Sequence, residues 1–161
     1  MEINIRPIGR IKTPFESGKW IPIQSSKSDV LGEVIIKEEF IDGLDSLDLF
    51  SHVILVYWFH RASPLKLRVV PYLDKNERGL FSTRSPSRPN PVGISIVELI
   101  KIEGNRIFFR GADMLDGSPL IDIKPFVPEF DCRSDANSGW LREFLDKKGQ
   151  SYLADTRFQG E

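Results

Sequence analysis

The sequence predicts a mainly-β fold: a small antiparallel β-barrel with a short helix before the central strand and a C-terminal helix. Roughly six to eight short stretches alternate apolar and polar residues or are continuously apolar, with Gly, Asn, Asp and Pro turn signals between them. Helical spacing of apolar residues occurs at only two places. A chain of 161 residues is most simply one domain with its own core.

The first two strands are predicted at residues 3–11 and 31–40, where apolar and polar residues alternate. Pro7 cannot donate a ladder hydrogen bond, so we expect the first strand to be an edge or to carry a bulge. Residues 13–30 lie between these strands and have no periodicity. A loop of this length in a compact domain is usually functional or mobile.

The short helix is predicted at residues 41–50, because Ile41, Leu44 and Leu47 recur every three residues. The next stretch, residues 52–60, is apolar at both odd and even positions. This pattern predicts a central strand that is buried on both faces.

Further short strands are predicted at residues 65–73 and 80–83. Residues 92–112 indicate a hairpin that turns at Gly104-Asn105, and residues 120–127 a final strand.

The C-terminal helix is predicted at residues 138–148, with Ser138 as a possible cap. We therefore divide the chain into a barrel, residues 1–135, and a helical extension, residues 136–161. The apolar face of that extension could pack on its own barrel or on a partner subunit.

Composition narrows the class of protein. The formal net charge of −1 gives no global attraction to nucleic acid, so a polyanion would need a local basic patch. Cys132 is the only cysteine, which excludes an internal disulfide and favours an intracellular protein. The longest apolar run, residues 53–59, is too short to span a bilayer. We expect a cytoplasmic protein that does not contact a membrane.

The segment that most favours function is Gly79–Gly93, which we call the proline loop. It holds Pro86, Pro89 and Pro91, and each proline restricts both its own backbone and that of the residue before it. A stiff loop loses little entropy on binding. Arg84 and Arg88 would thus present guanidinium groups at fixed positions, suited to a carboxylate, a phosphate or a nucleotide edge. The alternative is a rigid surface loop with incidental arginines.

Several common kinds of site do not fit. His52 and His60 are the only histidines, and on one strand they would lie about 26 Å apart, so one metal ion could not hold both. We expect no metal. The chain also lacks a Gly-x-Ser-x-Gly nucleophile motif, a P-loop and a Gly-x-Gly-x-x-Gly motif.

Acidic residues surround the turn at Asp116-Gly117-Ser118-Pro119. Asp113 and Asp122 add charge that a turn does not need, although Asp-Gly turns are far commoner than binding sites. His60 and Arg61 end the central strand, where a histidine is more often structural than functional.

Two motifs resemble those of the TrmO (TsaA-like, YaeB) family. They are residues 81–95, FSTRSPSRPNPVGIS, and residues 113–128, DMLDGSPLIDIKPFVP. Residues 50–60 and 69–71 fit the same family in the same order, so the resemblance covers roughly residues 5–130.

The resemblance implies a β-barrel methyltransferase that uses S-adenosyl-L-methionine and works as a homodimer. Its reaction would be N6-methylation of threonylcarbamoyladenosine next to the anticodon of tRNA. Matching the motifs residue by residue implies these cofactor contacts: Gln24, Ser25, Ser26, His60, Arg61, Arg84, Ile94, Asp116, Gly117, Ser118 and Pro119.

Methyl transfer is an in-line displacement, so it needs alignment and electrostatics rather than a covalent nucleophile. Arg84 is expected to meet a carboxylate of cofactor or substrate. Asp116 and His60 are candidates for the group that removes the N6 proton. Arg88, Arg68 and Arg78 are expected to contact RNA phosphate.

Two alternatives stay open: a module that binds S-adenosyl-L-methionine but has a different or lost substrate, and a hydrolase that uses His60 with an aspartate.

Overall fold

In the computed structural model, which describes residues 2–145, 147 and 149–158, six strands close into an antiparallel barrel. The order around the barrel is β1-β2-β7-β6-β3-β8, and β4 and β5 form a separate two-stranded sheet. The strands are β1 (Gly9–Lys12), β2 (Leu31–Ile36), β3 (His52–Trp58), β4 (Arg68–Val69), β5 (Arg78–Gly79), β6 (Val92–Glu103), β7 (Arg106–Arg110) and β8 (Pro119–Pro125). The predicted fold class is confirmed.

Two one-turn helices, α1 (Pro128–Asp131) and α2 (Arg142–Leu145), follow the barrel. The remaining helical turns are of the 3₁₀ type and lie at Ser25–Lys27, Glu38–Leu44, Leu47–Leu49, Leu80–Ser82 and Gly139–Leu141. No helix among the described residues is long and apolar enough to cross a membrane.

The barrel interior is filled by alternate residues of each strand. On β3, Val53, Leu55 and Tyr57 are buried, whereas the residues between them are half-buried on the outside. The prediction that this strand is buried on both faces is therefore wrong. The apolar residues of β3 that point outward lie on a barrel surface that is only partly covered.

The predicted hairpin at residues 92–112 is confirmed as β6 and β7. Gly104 lies in the turn at φ 60°, a conformation that glycine adopts without the steric cost of a side chain. The first half of β6 pairs with β3 and its second half pairs with β7, so this long strand joins these two strands of the barrel.

Several predicted element boundaries are wrong. The first strand begins at Gly9, after Pro7, and β2 ends at Ile36 because a 3₁₀ turn begins at Glu38. The strand predicted at residues 65–73 shrinks to β4, and residues 80–83 form a 3₁₀ turn. Pro64 and Pro71 flank β4 and restrict the length that can pair.

The helix predicted at residues 41–50 is instead two 3₁₀ segments. Ser46 separates them with a positive φ of 64°, which a continuous helix cannot contain. The spacing by three that indicated a helix also matches three residues per 3₁₀ turn.

The helix predicted at residues 138–148 is limited to Gly139–Leu141 and α2 in the described residues. Ser138 makes no side-chain capping bond. Asp146 and Lys148 of that prediction lie outside the described residues. The division into residues 1–135 and 136–161 stays a prediction.

Candidate functional site

An open cleft of about 1000 Å³ is lined by His52 at the start of β3, by His60 just after its end and by outward-facing residues of β6 from Ile94 to Glu98. Its other walls come from the loop at residues 13–30, which we call the first loop, and from the proline loop, residues 110–118 and the C-terminal residues. Of the predicted cofactor contacts, the cleft is lined by Gln24, Ser25, Ser26, His60, Arg61, Arg84, Ile94 and Ser118.

The proline loop is held by its own polar groups. Ser85 and Ser87 are buried, and the Ser87 hydroxyl lies 2.6 Å from that of Ser63. Arg88 Nη1 donates to the carbonyl of Thr83 at 3.0 Å and lies 3.4 Å from the carbonyl of Ser85. The Arg88 guanidinium thus fixes the loop, while its side chain also lines the cleft.

Arg84 has a different environment from Arg88. Its side chain is exposed, and Nη1 donates a hydrogen bond to Oε1 of Gln24 in the first loop. Because both residues line the cleft, this contact joins the two loops across one edge of the cavity. Among the described residues Arg84 donates only this side-chain hydrogen bond, so its other N–H groups are available to an anionic ligand.

Two hydroxyl groups and one carboxyl group, those of Tyr57, Ser95 and Asp113, are linked by hydrogen bonds at the cleft. Ser95 Oγ donates to Oδ1 of Asp113 at 2.6 Å and lies 3.2 Å from the hydroxyl of Tyr57. Ser95 has one proton to donate, so with Asp113 ionised the Tyr57 hydroxyl is the donor to Ser95. Tyr57 and Asp113 both line the cleft.

Gly93 makes room for this arrangement. A Cβ at Gly93 would stand 2.5 Å from Cζ of Tyr57, a separation that real Cβ atoms do not show. The missing side chain lets the Tyr57 ring lie against β6 and direct its hydroxyl to Ser95.

The carboxyl group of Asp113 has a raised pKa in this site. Burial raises the pKa of its carboxyl to about 7. Three effects oppose this shift and lower the pKa: the hydrogen bond from Ser95, backbone hydrogen bonds that include Ser25, and the positive charge of Arg84. A carboxyl with this pKa exchanges a proton near neutral pH.

His60 also lines the cleft. Burial and the charge of Arg61 lower the pKa of its imidazole, and the charge of Asp116 opposes this shift. Nδ1 of His60 lies 3.5 Å from the Ser118 hydroxyl, which donates to the carbonyl of Leu115 at 2.8 Å. His60 is therefore neutral at pH 7.

The turn at residues 116–119 only partly reaches the cleft. Ser118 lines it, whereas Asp116, Gly117 and Pro119 pack toward β1. Oδ1 of Asp116 accepts from the backbone N–H of Thr13 at 3.1 Å, and the Gly117 N–H donates to Ile11. Pro119 is the first residue of β8. The Asp-Gly turn lies between β7 and β8. Asp116, Gly117 and Ser118 all make hydrogen bonds within the protein.

Two of the predicted RNA-binding arginines form ion pairs. Arg68 pairs with Glu77 at 2.6 Å, and both side chains are exposed. Arg78 pairs with Asp74 at 2.7 Å, and Asp74 is only 5% exposed. Surface pairs such as the first are weak and can exchange partners, whereas the carboxylate of the second pair is buried.

No cluster of three or more histidine, cysteine or acidic residues suited to a metal ion occurs in the part of the chain that the structure describes. The titratable residues that line the cleft include Asp29, His52, His60, Glu98 and Asp113, together with the arginines Arg61, Arg84, Arg88 and Arg110.

The sequence did not predict the hydrogen-bonded group formed by Tyr57, Ser95 and Asp113. One readable signal was the polar Ser95 at an inward position of β6, between Gly93 and Val97. Asp113 was noticed as an acidic residue but was not assigned to the site. Ala154 and Phe158, which also line the cleft, gave no sequence signal.

Comparisons with known proteins agree with this geometry. Residues 10–132 match the model of a family described as tRNA-methyltransferase O N-terminal domain. An S-adenosyl-L-methionine-binding protein of Archaeoglobus fulgidus is 48% identical over 128 residues, which cover 80% of this chain and 92% of that protein. A mouse tRNA (adenine(37)-N6)-methyltransferase is 41% identical over 92 residues, 55% of this chain and 21% of that protein.

Among solved structures, the crystal structure of TrmO from Pseudomonas aeruginosa superimposes with a TM-score of 0.74 at 36% identity. The match covers 86% of this chain, which spans 62% of that longer chain.

Proposed function

Because this chain belongs to the tRNA-methyltransferase O N-terminal domain family, we propose that it is an S-adenosyl-L-methionine-dependent tRNA (adenine-N6)-methyltransferase. The proposed substrate is threonylcarbamoyladenosine next to the anticodon, methylated at N6. The observation that carries the proposal is the cleft itself, in which Arg84 and Asp113 face one cavity from a fixed loop and a closed barrel.

The residues of the cleft fit the cofactor. S-adenosyl-L-methionine carries a carboxylate, an ammonium, a sulfonium and an adenine ring. Arg84 offers a guanidinium fork for the carboxylate, and Ser25, Ser26 and Gln24 offer hydroxyl and amide groups. A carboxylate at Asp113 suits a cationic group, and the volume of about 1000 Å³ leaves room for a substrate nucleoside.

The bound cofactor supplies an electrophilic methyl group on a sulfonium. The protein must then align the substrate nitrogen and take up the proton that this nitrogen loses. In this transfer the substrate nitrogen would gain the methyl group, the electron pair of the broken S–CH₃ bond would stay on sulfur, and the N6 proton would pass to a base of the protein. We assign that base to Asp113, because its carboxyl lines the cleft and its pKa lies near neutrality.

The sequence-based candidates for this role, Asp116 and His60, are less well placed. The Asp116 carboxylate is exposed and bound to Thr13. His60 lies in the cleft and is neutral, so it remains a second possible acceptor or a hydrogen-bond partner for the substrate.

Contacts to RNA phosphate are proposed for Arg88, Arg68 and Arg78. Arg68 is the most available of the three, because its partner Glu77 is exposed and an exposed pair costs little to break. Arg78 must leave buried Asp74, and Arg88 must leave the Thr83 carbonyl. A tRNA substrate would place the protein in the cytoplasm.

A homodimer is also proposed. Ile94 and Ile96 are 63% and 42% exposed on the outer face of β6, and both also line the cleft. Opposite them on β3 lie the half-buried Val56 and Ile54, so four aliphatic residues form one outer patch. A second copy of the chain would cover this patch and bring its own residues next to the cleft.

The second candidate function is a module that binds S-adenosyl-L-methionine and acts on a different substrate or on none. Its support is that Arg68, Arg78 and Arg88 all have partners within the protein. The two candidates share the cofactor and differ in methyl transfer to tRNA.

The experiment that separates them is incubation of the protein with methyl-labelled cofactor and bulk tRNA. We expect label in the RNA fraction and none with Arg84→Ala. Tight cofactor binding in calorimetry without labelled RNA would favour the second candidate, and absence of binding would reject both.

A further inference from the structure

The C-terminal segment, residues 149–158, lies outside the residues that match the family, which end at 132. It nevertheless reaches the cleft, because Ala154 and Phe158 are among the lining residues. The question is what these residues contribute to the site.

One part of the C-terminal segment pairs with the first loop like an added strand. The N–H of Trp20 donates to the Ala154 carbonyl at 2.9 Å, and the N–H of Ala154 donates to Ile21 at 2.7 Å. The N–H of Ile23 donates to Tyr152 at 2.8 Å. These three bonds fix the backbone immediately before Gln24, the partner of Arg84.

The other end of the C-terminal segment is fixed beneath the proline loop. Phe158 is buried with Val69 and Leu80, and its ring meets that of Tyr72 edge-on at 5.0 Å. Arg157 Nη1 donates to the carbonyl of Pro71 at 2.7 Å. The segment therefore bridges the two loops that carry Gln24 and Arg84.

The C-terminal segment also changes the character of the cleft. Its residues Ala154 and Phe158 join Ile21 and Tyr72, which lie outside the barrel strands, as apolar residues that line the cleft. A planar aromatic base is the part of an adenosine ligand that such a wall accommodates.

We propose that the C-terminal segment is a component of the ligand site: it holds the first loop at the edge of the cleft and supplies an apolar wall for the adenine ring of S-adenosyl-L-methionine. The identity of the ligand rests on the proposed function, whereas the ordering of the first loop does not. Phe158 and Ala154 thereby belong to the ligand site, although they lie outside the region that matches the family.

Two full-length variants test the proposal, with one control. Phe158→Ala removes the largest side chain of the wall, and Ala154→Pro removes the N–H that donates to Ile21. Thr156→Ala is the matched control, because Thr156 is exposed in the same segment. Circular dichroism and the melting transition show whether each variant keeps the barrel.

We expect S-adenosyl-L-methionine to bind each variant about tenfold more weakly or worse in calorimetry, and the control to bind like the native chain. Hydrogen exchange at the amides of Trp20 and Ile23 should accelerate in Ala154→Pro, with the barrel amides unchanged. Binding within about twofold of native for both folded variants, with unchanged exchange, would overturn the proposal.

The outcomes also separate this inference from the proposed function. If the native chain does not bind the cofactor, the proposed function fails, and hydrogen exchange at Trp20 and Ile23 alone decides whether the C-terminal segment orders the loop. If tRNA but not cofactor binds the variants more weakly, the wall receives the adenine of the substrate instead, and the assignment to the cofactor is rejected.

Discussion

At the scale of single residues, the site depends on opposing effects at Asp113. Removing its carboxyl from water favours the neutral acid, while Ser95, backbone hydrogen bonds and Arg84 favour the carboxylate. The balance brings the pKa to about 7, where both forms are populated and proton transfer needs little driving force.

Asp113→Asn should reduce methyl transfer by about 10²–10⁴-fold, the usual contribution of a general base. In the native chain the rate should rise with pH through about 7 as the carboxyl ionises, and the variant should lack that rise. A pH–rate profile at saturating cofactor measures both. An Asn variant that keeps the native profile would remove Asp113 from this role.

The same pKa predicts a trend in stability. Because burial raises the folded-state pKa of Asp113 from its ordinary value of 3.8 to about 7, the folded protein holds this proton more tightly than the unfolded chain. The contribution to the free energy of unfolding is full below pH 4 and is lost as pH rises through about 7. Denaturant titrations of native protein and Asp113→Asn at pH 5 and pH 8 should show the variant gaining relative stability at pH 8.

Arg84→Ala should abolish detectable cofactor binding or methyl transfer while changing the free energy of unfolding by less than about 0.5 kcal/mol, because the side chain is exposed. Arg84→Lys is the matched control: it keeps the charge but loses the planar fork. Calorimetry and thermal melts check the pair. Binding that is unaffected in Arg84→Ala would contradict the role of the proline loop.

At the scale of elements, the hairpin and the existence of most barrel strands could be predicted from apolar patterns and turn residues, because these depend on local sequence. The ends of the first two strands could not. The 3₁₀ turns at Glu38–Leu44 and Leu47–Leu49 could not be distinguished from an α-helix, because apolar residues spaced by three fit both helix types. The pairing of the C-terminal segment with the first loop could not be predicted, since it joins residues more than a hundred positions apart through backbone bonds that no side-chain pattern records.

Gly93→Ala tests the packing between β3 and β6. Its Cβ would overlap the Tyr57 ring, so the ring must shift and its hydrogen bond to Ser95 must lengthen or break. We expect a loss of about 1–3 kcal/mol in the free energy of unfolding, as is usual for overpacking. Gly43→Ala, where a Cβ meets nothing within 4 Å, is the control, and equal melting transitions for the two variants would contradict this account.

At the scale of the whole molecule, the predicted barrel is confirmed, and most of the predicted cofactor contacts line a single cleft. Asp116, Gly117 and Pro119 were also predicted to contact the cofactor; they are not among the residues that line the cleft, and their role stays a prediction. A sequence motif indicates which loop is important, whereas only the packed barrel shows which of its side chains face the cavity.

The proposed dimer is tested by a charge on the outer patch. Ile96→Asp should shift the chain from dimer to monomer in sedimentation at equal concentration, because a buried unpaired carboxylate opposes association. Leu31→Asp is the control, since Leu31 is exposed on β2 with β7 between it and β6. A native chain that sediments as a monomer would reject the dimer.

The most direct measurement is mass analysis of nucleosides from two tRNA preparations, one with and one without the threonylcarbamoyl group, after incubation with the protein and S-adenosyl-L-methionine. The proposed function predicts that threonylcarbamoyladenosine gains one methyl group in the first preparation and that adenosine in the second stays unmodified. Cofactor binding with threonylcarbamoyladenosine unmethylated in the first preparation would contradict it.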